Sequence, residues 1–409
     1  MSINTKELFL KIKNAWIKAK EANFRTPLMK SRLLSSPALN SEVYLKLECF
    51  QITGSFKVRG AYNKILELPP ERIKKGVITA SAGNHGQGVA YAAKLLNIPA
   101  IIVVPELTPF VKIKSIKDHG ANIIEKGKSY DEAAKYALEL AKKKDMEYIH
   151  AFDDLDVIAG QGVIGLEILE DLPYVDVVIC PIGGGGLISG IATAIKHKRP
   201  EVKIIGVQAA HAAAMRNSIK KGEIETLSKI ETIADGLAVK TPGRLTFEIV
   251  KQFIDEIVVV DDQQIANAIL KVIEVEHIVT EGAGVTPIAA LLNNLIEITG
   301  KKKVACILSG GNIDVTMLDK IINKGLVFEN RFISIQCDVL DKPGNLVKLL
   351  KIIADLNGNV VDIRHHRRSQ SIKIGHSHVA IDLEIRDADH GNQILNELKE
   401  KGFLLEGIY

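Results

Sequence analysis

One lysine of this chain lies in a setting that could make its amine a nucleophile. The segment reads Gly54-Ser55-Phe56-Lys57-Val58-Arg59-Gly60, with a strand predicted just before it (44–48) and a helix just after it. An apolar pocket removes water from a lysine, which lowers its pKa and leaves more of the neutral amine. Such an amine forms Schiff bases with carbonyl compounds, pyridoxal phosphate included. A solvated surface lysine is the alternative for this segment taken alone, so residues elsewhere in the chain must decide.

A first candidate partner is a loop of small residues between a predicted strand and a predicted helix. It reads Ser81-Ala82-Gly83-Asn84-His85-Gly86 and follows the apolar run Val77 to Ala80. Free backbone amides at a helix N-terminus attract an anion, and small side chains let a carboxylate come close. An ordinary strand-to-helix turn with Asn84 as the helix N-cap is the competing interpretation.

A second loop carries four consecutive glycines, Gly183-Gly184-Gly185-Gly186, followed by Leu187. Ordering four glycines costs conformational entropy, so the run indicates a place where something approaches the backbone closely. A phosphate held by amides at the start of the next helix is the predicted ligand, ahead of a flexible turn. A dinucleotide site is excluded because Ile188 or Ser189 stands where a third glycine is required, and no Gly-Lys-Ser/Thr follows to form a nucleotide loop.

A third loop, Ser309-Gly310-Gly311-Asn312, follows the predicted strand 304–308. A hydroxyl group here could face a ring nitrogen of a ligand, and a helix cap is an equally good interpretation. All three loops therefore come directly after apolar strands.

These loops belong to a regular alternation of strands and helices between about residues 76 and 310. Near-continuous apolar runs are typical of strands covered on both faces, and segments such as 87–96 and 130–143 between them have helical periodicity. The alternation predicts an α/β fold with one or two open, mostly parallel sheets, whose ligands lie beyond the carboxyl ends of the strands. The predicted strands are Val77 to Ala80, Ala100 to Val104, Ala121 to Ile124, Val175 to Cys180, Ile204 to Val207, Ile257 to Val260 and Val304 to Leu308.

The pattern changes near residue 326 and predicts a second domain. Strands at 332–340, 359–366 and 376–385, helices at 345–356 and 388–401, and a short final strand give the order βαββαβ, which is ferredoxin-like. The predicted domains are therefore 1–325 and 326–409.

Composition fits a cytosolic globular protein of more than one domain. The chain has 409 residues, 46% of them hydrophobic and 25% charged, and a net charge of +4 that does not suggest a nucleic-acid partner. It has no run of eighteen apolar residues, and residues 1–20 lack the apolar core of a signal peptide. The four cysteines, at 49, 180, 306 and 337, are far apart and predict buried thiols rather than a zinc site or disulfides.

The lysine segment and the three loops, in this order along the chain, resemble the tryptophan-synthase-like (fold type II) pyridoxal-phosphate enzymes, specifically the threonine and serine dehydratases. The resemblance covers roughly residues 5 to 320 and implies two open, mostly parallel sheet subdomains. The C-terminal domain resembles ACT regulatory domains, including the turn Asp341-Lys342-Pro343-Gly344 before its first helix.

The resemblance also implies roles for individual residues. Lys57 would hold the cofactor and move the Cα proton, and Phe56 would pack beside the pyridine ring. Asn84 would hydrogen-bond the phenolic oxygen, and amides of the loop Ser81, Ala82, Gly83, Asn84 and His85 would hold the substrate carboxylate. The remaining implied contacts are those of Gly183, Gly184, Gly185, Gly186 and Leu187 with the phosphate, Ser309 with the pyridine nitrogen, and Gly236 and Glu281 with the surroundings of the ring.

The implied reaction is the deamination of L-threonine to 2-oxobutanoate and ammonia, with L-serine as a further expected substrate. A neutral Ser309 hydroxyl does not stabilise a pyridinium as a carboxylate would, which disfavours transamination and fits elimination. Related serine racemases carry a second serine where this chain has Ala82, and bind a divalent cation where it has Gln208 and Ala214. Racemisation and a metal site are therefore not expected.

Two other functions stay open, namely a β-replacement enzyme and a non-catalytic regulator that binds amino acids. Phe56 and His85 argue against the first, and the retained Lys57 and glycine loop argue against the second.

The ACT resemblance implies a small-molecule effector and a homo-oligomer. The identity of the effector stays open. The choice between a biosynthetic role toward isoleucine and a degradative role also stays open. The tract His365-His366-Arg367-Arg368 predicts an exposed strand end rather than a metal clamp, because adjacent strand residues point to opposite faces.

Overall fold

The computed structural model describes residues 3–22, 24–35, 41–367 and 372–408. The chain divides into two compact units, Met1–Asp314 and Val315–Tyr409. The domain boundary predicted at 325/326 falls inside a helix, Val315–Phe328. No helix among these residues is long and apolar enough to cross a membrane.

Strands are named here in chain order. They are β1 (Leu28–Lys30), β2 (Glu42–Leu47), β3 (Val77–Ala80), β4 (Ala100–Val104), β5 (Asn122–Glu125), β6 (Glu147–Tyr148), β7 (Val177–Pro181), β8 (Lys203–Ala209), β9 (Glu256–Val260), β10 (Lys303–Leu308), β11 (Phe332–Leu340), β12 (Asn359–His366), β13 (His376–Glu384) and β14 (Leu404–Ile408). Each strand predicted from the apolar runs is present, and the short strands β1 and β6 were not predicted.

Helices separate most of these strands. They are α1 (Thr5–Glu21), α2 (Lys57–Leu66), α3 (Pro70–Ile73), α4 (Asn84–Leu95), α5 (Phe110–Asp118), α6 (Tyr130–Lys144), α7 (Leu155–Asp171), α8 (Gly186–Lys196), α9 (Ala214–Lys221), α10 (Arg244–Phe253), α11 (Asp262–Lys271), α12 (Gly282–Leu292), α13 (Val315–Phe328), α14 (Asn345–Asp355) and α15 (Ala388–Glu400). A π-helical turn, Val272–Glu276, follows α11, and short 3-10 turns cover Glu48–Phe50, Ala210–Ala212 and Asp235–Leu237.

The first unit contains two parallel sheets, as the alternation predicted. The larger has the strand order β1-β2-β10-β7-β8-β9, in which only β1 is antiparallel to its neighbour. The smaller has the order β5-β4-β3-β6 and is parallel throughout. Because β2, β10 and β7 are neighbours, the lysine segment, the Ser309 loop and the glycine loop that follow them meet at one sheet edge.

The chain passes from one sheet's core to the other at Lys57. Phe56 packs against the hydrophobic cluster of the larger sheet, whereas Val58 is buried in the cluster of the smaller sheet. Residues 61 and 65 of α2 continue into that second cluster. Apolar packing on both sides therefore fixes the backbone that carries the Lys57 side chain between the two sheets.

The second unit has the predicted order βαββαβ, with an antiparallel sheet in the order β12-β13-β11-β14. Alternate residues of β11 and β13, including Ile335, Cys337 and Ile381, are buried under α14 and α15. Every residue of β12 is exposed, and Arg367 after it pairs with Asp341. The neighbouring Arg368 of the predicted basic tract lies outside the described residues.

Four buried charged side chains form a network between β2, α2 and α7, here called the buried ion quartet. Arg59 Nε donates to Glu48 at 2.8 Å, and Arg59 Nη1 donates to Glu167 at 2.8 Å. Lys46 Nζ lies 2.6 Å from Glu167, and all four residues are at most 2% exposed. Burial alone would raise the pKa of Glu167, but the charges of Arg59 and Lys46 outweigh it and lower that pKa. Two positive and two negative charges balance, and together they anchor the first turn of α2.

We expect Arg59→Met to lower the free energy of unfolding of the first unit by about 3–5 kcal/mol, because it leaves the buried Glu48 carboxylate without a cation and Glu167 with Lys46 alone. Urea denaturation followed by circular dichroism measures this value. Arg25→Met is the matched control, since Arg25 pairs with Glu170 and Asp171 at the surface and its loss should cost about 0–1 kcal/mol. Equal losses in the two variants would contradict the structural role of the quartet.

Candidate active site

Lys57 is the first residue of α2, and its amine is held against a loop of the smaller sheet. Its Nζ donates to the Ala151 carbonyl oxygen at 2.9 Å and lies 5.1 Å from the centroid of the Phe56 ring. Burial lowers the pKa of Lys57 to about 8, against the opposing charge of Glu281. A substantial fraction of the amine is therefore neutral near physiological pH, as a nucleophile requires.

The loop Ser81 to His85 connects β3 to α4 and presents free amides. Gly83, not Asn84, is the N-cap of α4, so the alternative of an Asn84 cap is wrong. The Ser81 hydroxyl accepts a hydrogen bond from the Gly83 amide at 3.2 Å. Within the described part of the chain, the amides of Ala82, Asn84 and His85 donate to no protein acceptor. The helix dipole and these amides form an anion-binding surface.

Asn84 is free for another task because it does not cap its helix. Its Nδ2 donates to both carboxylate oxygens of Glu281, at 2.8 and 3.0 Å, and its Oδ1 accepts from Asn312 Nδ2 at 2.8 Å. Burial raises the pKa of Glu281, and the Asn84 hydrogen bonds act in the opposite sense. The first loop, the third loop and Glu281 are thereby joined.

His85 lies in the interior rather than at an open surface. It is 4% exposed, and its Nε2 lies 3.0 Å from the Ile149 carbonyl oxygen, which fixes Nε2 as the protonated nitrogen. Burial lowers the pKa of His85 to about 3, with the charge of Lys57 acting in the same sense. The ring is therefore neutral, and the free backbone amide of His85 is available to an anion.

The glycine loop is shaped by packing against other parts of the protein. A Cβ at Gly184 would lie 2.4 Å from the Phe152 ring, and one at Gly183 would lie 2.9 Å from the Gly236 carbonyl oxygen. Gly185 has φ +95°, which favours glycine. Internal packing thus accounts for these glycines without any ligand. The amides from Gly183 to Leu187 nevertheless donate to no acceptor among the described residues, so they remain available to an anion at the start of α8.

Ser309 lies at the end of β10, beside the lysine segment. It is 2% exposed, and its carbonyl oxygen accepts from the Phe56 amide at 3.1 Å. A second bond joins the same segments, because the Gly311 amide donates to the Gly54 carbonyl oxygen at 2.9 Å. Gly236 lies near Glu281, since a Cβ there would be 3.5 Å from a carboxylate oxygen. All the residues proposed from the sequence therefore lie in one region of the first unit.

Sequence reasoning missed the segment His150 to Asp153, which supplies the acceptor for Lys57 and the ring against Gly184. It follows β6, which has only two residues and no apolar run. Had β6 been recognised as a strand, the rule that ligands lie beyond the carboxyl ends of parallel strands would have indicated this segment.

The position matched to a divalent-cation ligand is occupied by an amide that the protein already satisfies. Gln208 Nε2 donates to the Ile182 and Ala212 carbonyl oxygens, both at 3.2 Å, and its Oε1 accepts from the Arg216 amide at 2.8 Å. Across residues 3–22, 24–35, 41–367 and 372–408, no cluster of three or more histidine, cysteine, aspartate or glutamate side chains could hold a metal ion.

Comparisons with known proteins agree with this geometry. The family model described as "Pyridoxal-phosphate dependent enzyme" matches residues 19–310. A protein of Thermotoga maritima named L-threonine ammonia-lyase is 49% identical over 392 residues, which cover 96% of this chain and 97% of that protein.

Solved structures show the same similarity in three dimensions. The processed form of threonine deaminase isoform 2 from Solanum lycopersicum has a TM-score of 0.74 and 40% identity, covering 79% of this chain and 89% of its own. Maize serine racemase has a TM-score of 0.72 and 36% identity, covering 78% of this chain and 97% of its own. The fold alone therefore does not separate deamination from racemisation.

We expect the reactivity of Lys57 toward acetic anhydride, in protein free of bound carbonyl compounds, to rise with pH through a midpoint near 8. Removing the Glu281 charge in Glu281→Gln should move this midpoint lower, because that charge stabilises the ammonium form. Competitive labelling with peptide mass spectrometry measures both midpoints. Glu139→Gln, at an exposed position on α6, is the control. An unchanged or raised midpoint in Glu281→Gln would contradict the electrostatic coupling.

Proposed function

Because the chain belongs to the family of pyridoxal-phosphate-dependent enzymes, we propose that it is an L-threonine ammonia-lyase that forms 2-oxobutanoate and ammonia. The observation that carries the proposal is the Lys57 amine, with its lowered pKa, beside two sets of free helix-terminal amides. Full-length similarity to the L-threonine ammonia-lyase of Thermotoga maritima supports the choice of substrate.

The residues present fit pyridoxal phosphate. The amides from Gly183 to Leu187 have no protein acceptor among the described residues and suit its phosphate, and Lys57 suits its aldehyde. When bound, the cofactor supplies a reactive carbonyl and a conjugated ring that withdraws the electrons of the broken Cα–H bond. Ser309 at the ring nitrogen would add no charge there, and Phe56 would pack beside the ring.

Lys57 has two tasks in this proposal. It would hold the cofactor, and as a free neutral amine it would accept the Cα proton of the substrate as a general base. Its pKa of about 8 suits both, since a lysine with an ordinary pKa of about 10.4 would be almost wholly protonated near neutral pH. The Ala151 carbonyl oxygen holds the amine at 2.9 Å and so limits its freedom.

The free amides at the start of α4 are proposed to hold the substrate carboxylate. The amides of Ala82, Asn84 and His85 supply donors, and the helix dipole adds a favourable field for a negative charge. The Asn84 side chain, now bonded to Glu281, is proposed to contact the phenolic oxygen of the cofactor. Gly236 and Glu281 would then lie near the ring.

Racemisation requires a proton donor on the face of the substrate opposite Lys57. Residue 82 is alanine, which has no proton to exchange, so the chain is expected to eliminate rather than racemise. L-Serine, which differs from threonine by one methyl group, is a further proposed substrate, because a single methylene changes selectivity by only about 10- to 200-fold. A β-replacement enzyme remains the alternative if L-threonine is not turned over.

We further propose that the second unit is an ACT-like regulatory domain that binds a small effector in a homo-oligomer. Its βαββαβ order and the strand order β12-β13-β11-β14 support this proposal. The boundary predicted between residues 325 and 326 lies inside α13, which belongs to the second compact unit, so the proposed catalytic domain is Met1–Asp314 and the proposed regulatory domain is Val315–Tyr409.

Lys57→Ala should abolish 2-oxobutanoate release from L-threonine, because it removes both the cofactor anchor and the proposed base. The release is measured by a coupled assay, with and without added pyridoxal phosphate, and circular dichroism checks the fold. Lys114→Ala, on the exposed face of α5, should retain activity. Substantial turnover by the Lys57 variant would refute the proposed mechanism, and inactivity of the wild type toward L-threonine would direct attention to β-replacement substrates.

Deleting residues from Val315 onward should leave catalysis within a few fold and remove the response to effectors. The response is measured as the change in half-saturating threonine on adding each common L-amino acid, and coupling of this type is typically 5- to 150-fold. An effector response that persists in the truncated protein would place regulation outside the second unit.

A further inference from the structure

The segment His150 to Asp153 contacts the proposed cofactor site at two separate places. The Ala151 carbonyl oxygen accepts from the Lys57 amine at 2.9 Å. The next residue, Phe152, lies against the glycine loop. One short segment therefore touches both the amine and the loop proposed to bind phosphate.

The Phe152 ring lies directly on the backbone of the glycine loop. A Cβ at Gly184 would meet three ring carbons at 2.4 to 2.5 Å, and a Cβ at Gly186 would meet Phe152 atoms at 2.9 to 3.0 Å. Real Cβ atoms do not approach so closely, so only glycine fits at these two positions. The ring thus determines where the loop backbone lies, and with it where the loop amides point.

Phe152 is itself held by His150, two residues before it. His150 Nδ1 accepts from the Phe152 amide at 3.2 Å and from the Asp153 amide at 2.8 Å. The rings of His150 and Phe152 are 4.8 Å apart and nearly perpendicular. Burial lowers the pKa of His150, which keeps Nδ1 available as an acceptor. Backbone and ring of Phe152 are therefore both fixed.

Asp153 extends the same support to the other side of the glycine loop. Its carboxylate accepts from the amides of Arg244, Leu245 and Thr246 at 2.9 to 3.2 Å, at the start of α10. The Thr246 hydroxyl then donates to the Gly184 carbonyl oxygen at 2.6 Å. Gly184 is therefore held by two contacts, with the Phe152 ring and with the Thr246 hydroxyl group.

We propose that Phe152 is a positioning residue that orients the amides from Gly183 to Leu187 and thereby sets the affinity for the phosphate group of the cofactor. The inference rests on the proposed function, because that function supplies the phosphate. The residue touches neither the reacting carbonyl nor the substrate in this proposal. It acts only through the backbone of the glycine loop.

Pyridoxal has the same ring and aldehyde as pyridoxal 5′-phosphate but lacks the phosphate. Comparing the affinities of the apoenzyme for the two ligands therefore distinguishes a role in phosphate binding from a general structural role. Phe152→Ala should weaken binding of pyridoxal 5′-phosphate to the apoenzyme by about tenfold or more, because charge-assisted amide–phosphate bonds lose their alignment. Binding of pyridoxal should change by less than about threefold. Both affinities come from absorbance titrations, and Phe328→Ala, on the exposed end of α13, should change neither. Equal losses for the two ligands, or no loss for either, would overturn the proposal.

A Gly184→Ala substitution tests the ring contact from the opposite side. The new methyl group would collide with the Phe152 ring and displace the loop, so binding of pyridoxal 5′-phosphate should weaken. In the double variant the collision is gone, so Gly184→Ala should add little to the effect of Phe152→Ala. Additive losses would mean that the methyl group acts on the ligand directly, and would overturn the assignment of the contact.

Two further controls separate the possible failures. If the melting temperature of Phe152→Ala is well below that of the wild type, Phe152→Leu is used in its place in the same comparison. Leucine keeps an apolar side chain but has no flat ring. If the wild-type protein itself fails to bind pyridoxal 5′-phosphate, the proposed function fails. If the wild type binds it and the variants bind it equally well, only the role of Phe152 fails.

Discussion

The first unit depends on a balance of four buried charges that ties β2, α2 and α7 together. Arg59 can stay in the interior only because Glu48 and Glu167 accept from it, and Glu167 tolerates burial only because Lys46 also lies beside it. Each member needs the others, so the segments that carry them have one compatible arrangement. Since Arg59 follows Lys57 by two residues, this arrangement also decides where the reactive amine lies, at the point where the chain leaves one sheet for the other.

Burial then has different effects on the ionisable groups around that point. It lowers the pKa values of Lys57 and His85 and raises the pKa of Glu281, so desolvation makes the charged form less favourable at each. The positive ends of α4 and α8 remain, with amides that have no protein acceptor in the described residues. The site thus attracts anions by helix dipoles and amides and keeps its amine reactive. This combination suits a ligand with a phosphate, a carbonyl group and a bound carboxylate.

The sequence was sufficient to predict the parallel α/β architecture, the order βαββαβ of the second unit and the place of Lys57, because these follow from local periodicity and strand ends. It could not predict which strands are neighbours. The proximity of Lys57, Gly184 and Ser309 depends on the order β2-β10-β7, a tertiary property. The same limit explains why Asn84 was considered as a cap when it binds Glu281, 197 residues away. Phe152 was missed because β6 is too short to show a pattern.

The packing of the glycine loop bears on how inactive relatives of this chain could be recognised. Gly184 is required by the Phe152 ring, Gly186 by the backbone and Cβ of Phe152, and Gly185 by its own backbone angle, whether or not any ligand is bound. A descendant that had lost catalysis would still need these glycines to fold, so selection for stability alone would preserve them. The Lys57 amine, by contrast, makes one hydrogen bond, to the Ala151 carbonyl oxygen, and otherwise lies over the Phe56 ring. In a divergent lineage, the loss of this lysine would therefore be an earlier and more reliable sign of a pseudoenzyme than any change in the glycine loop.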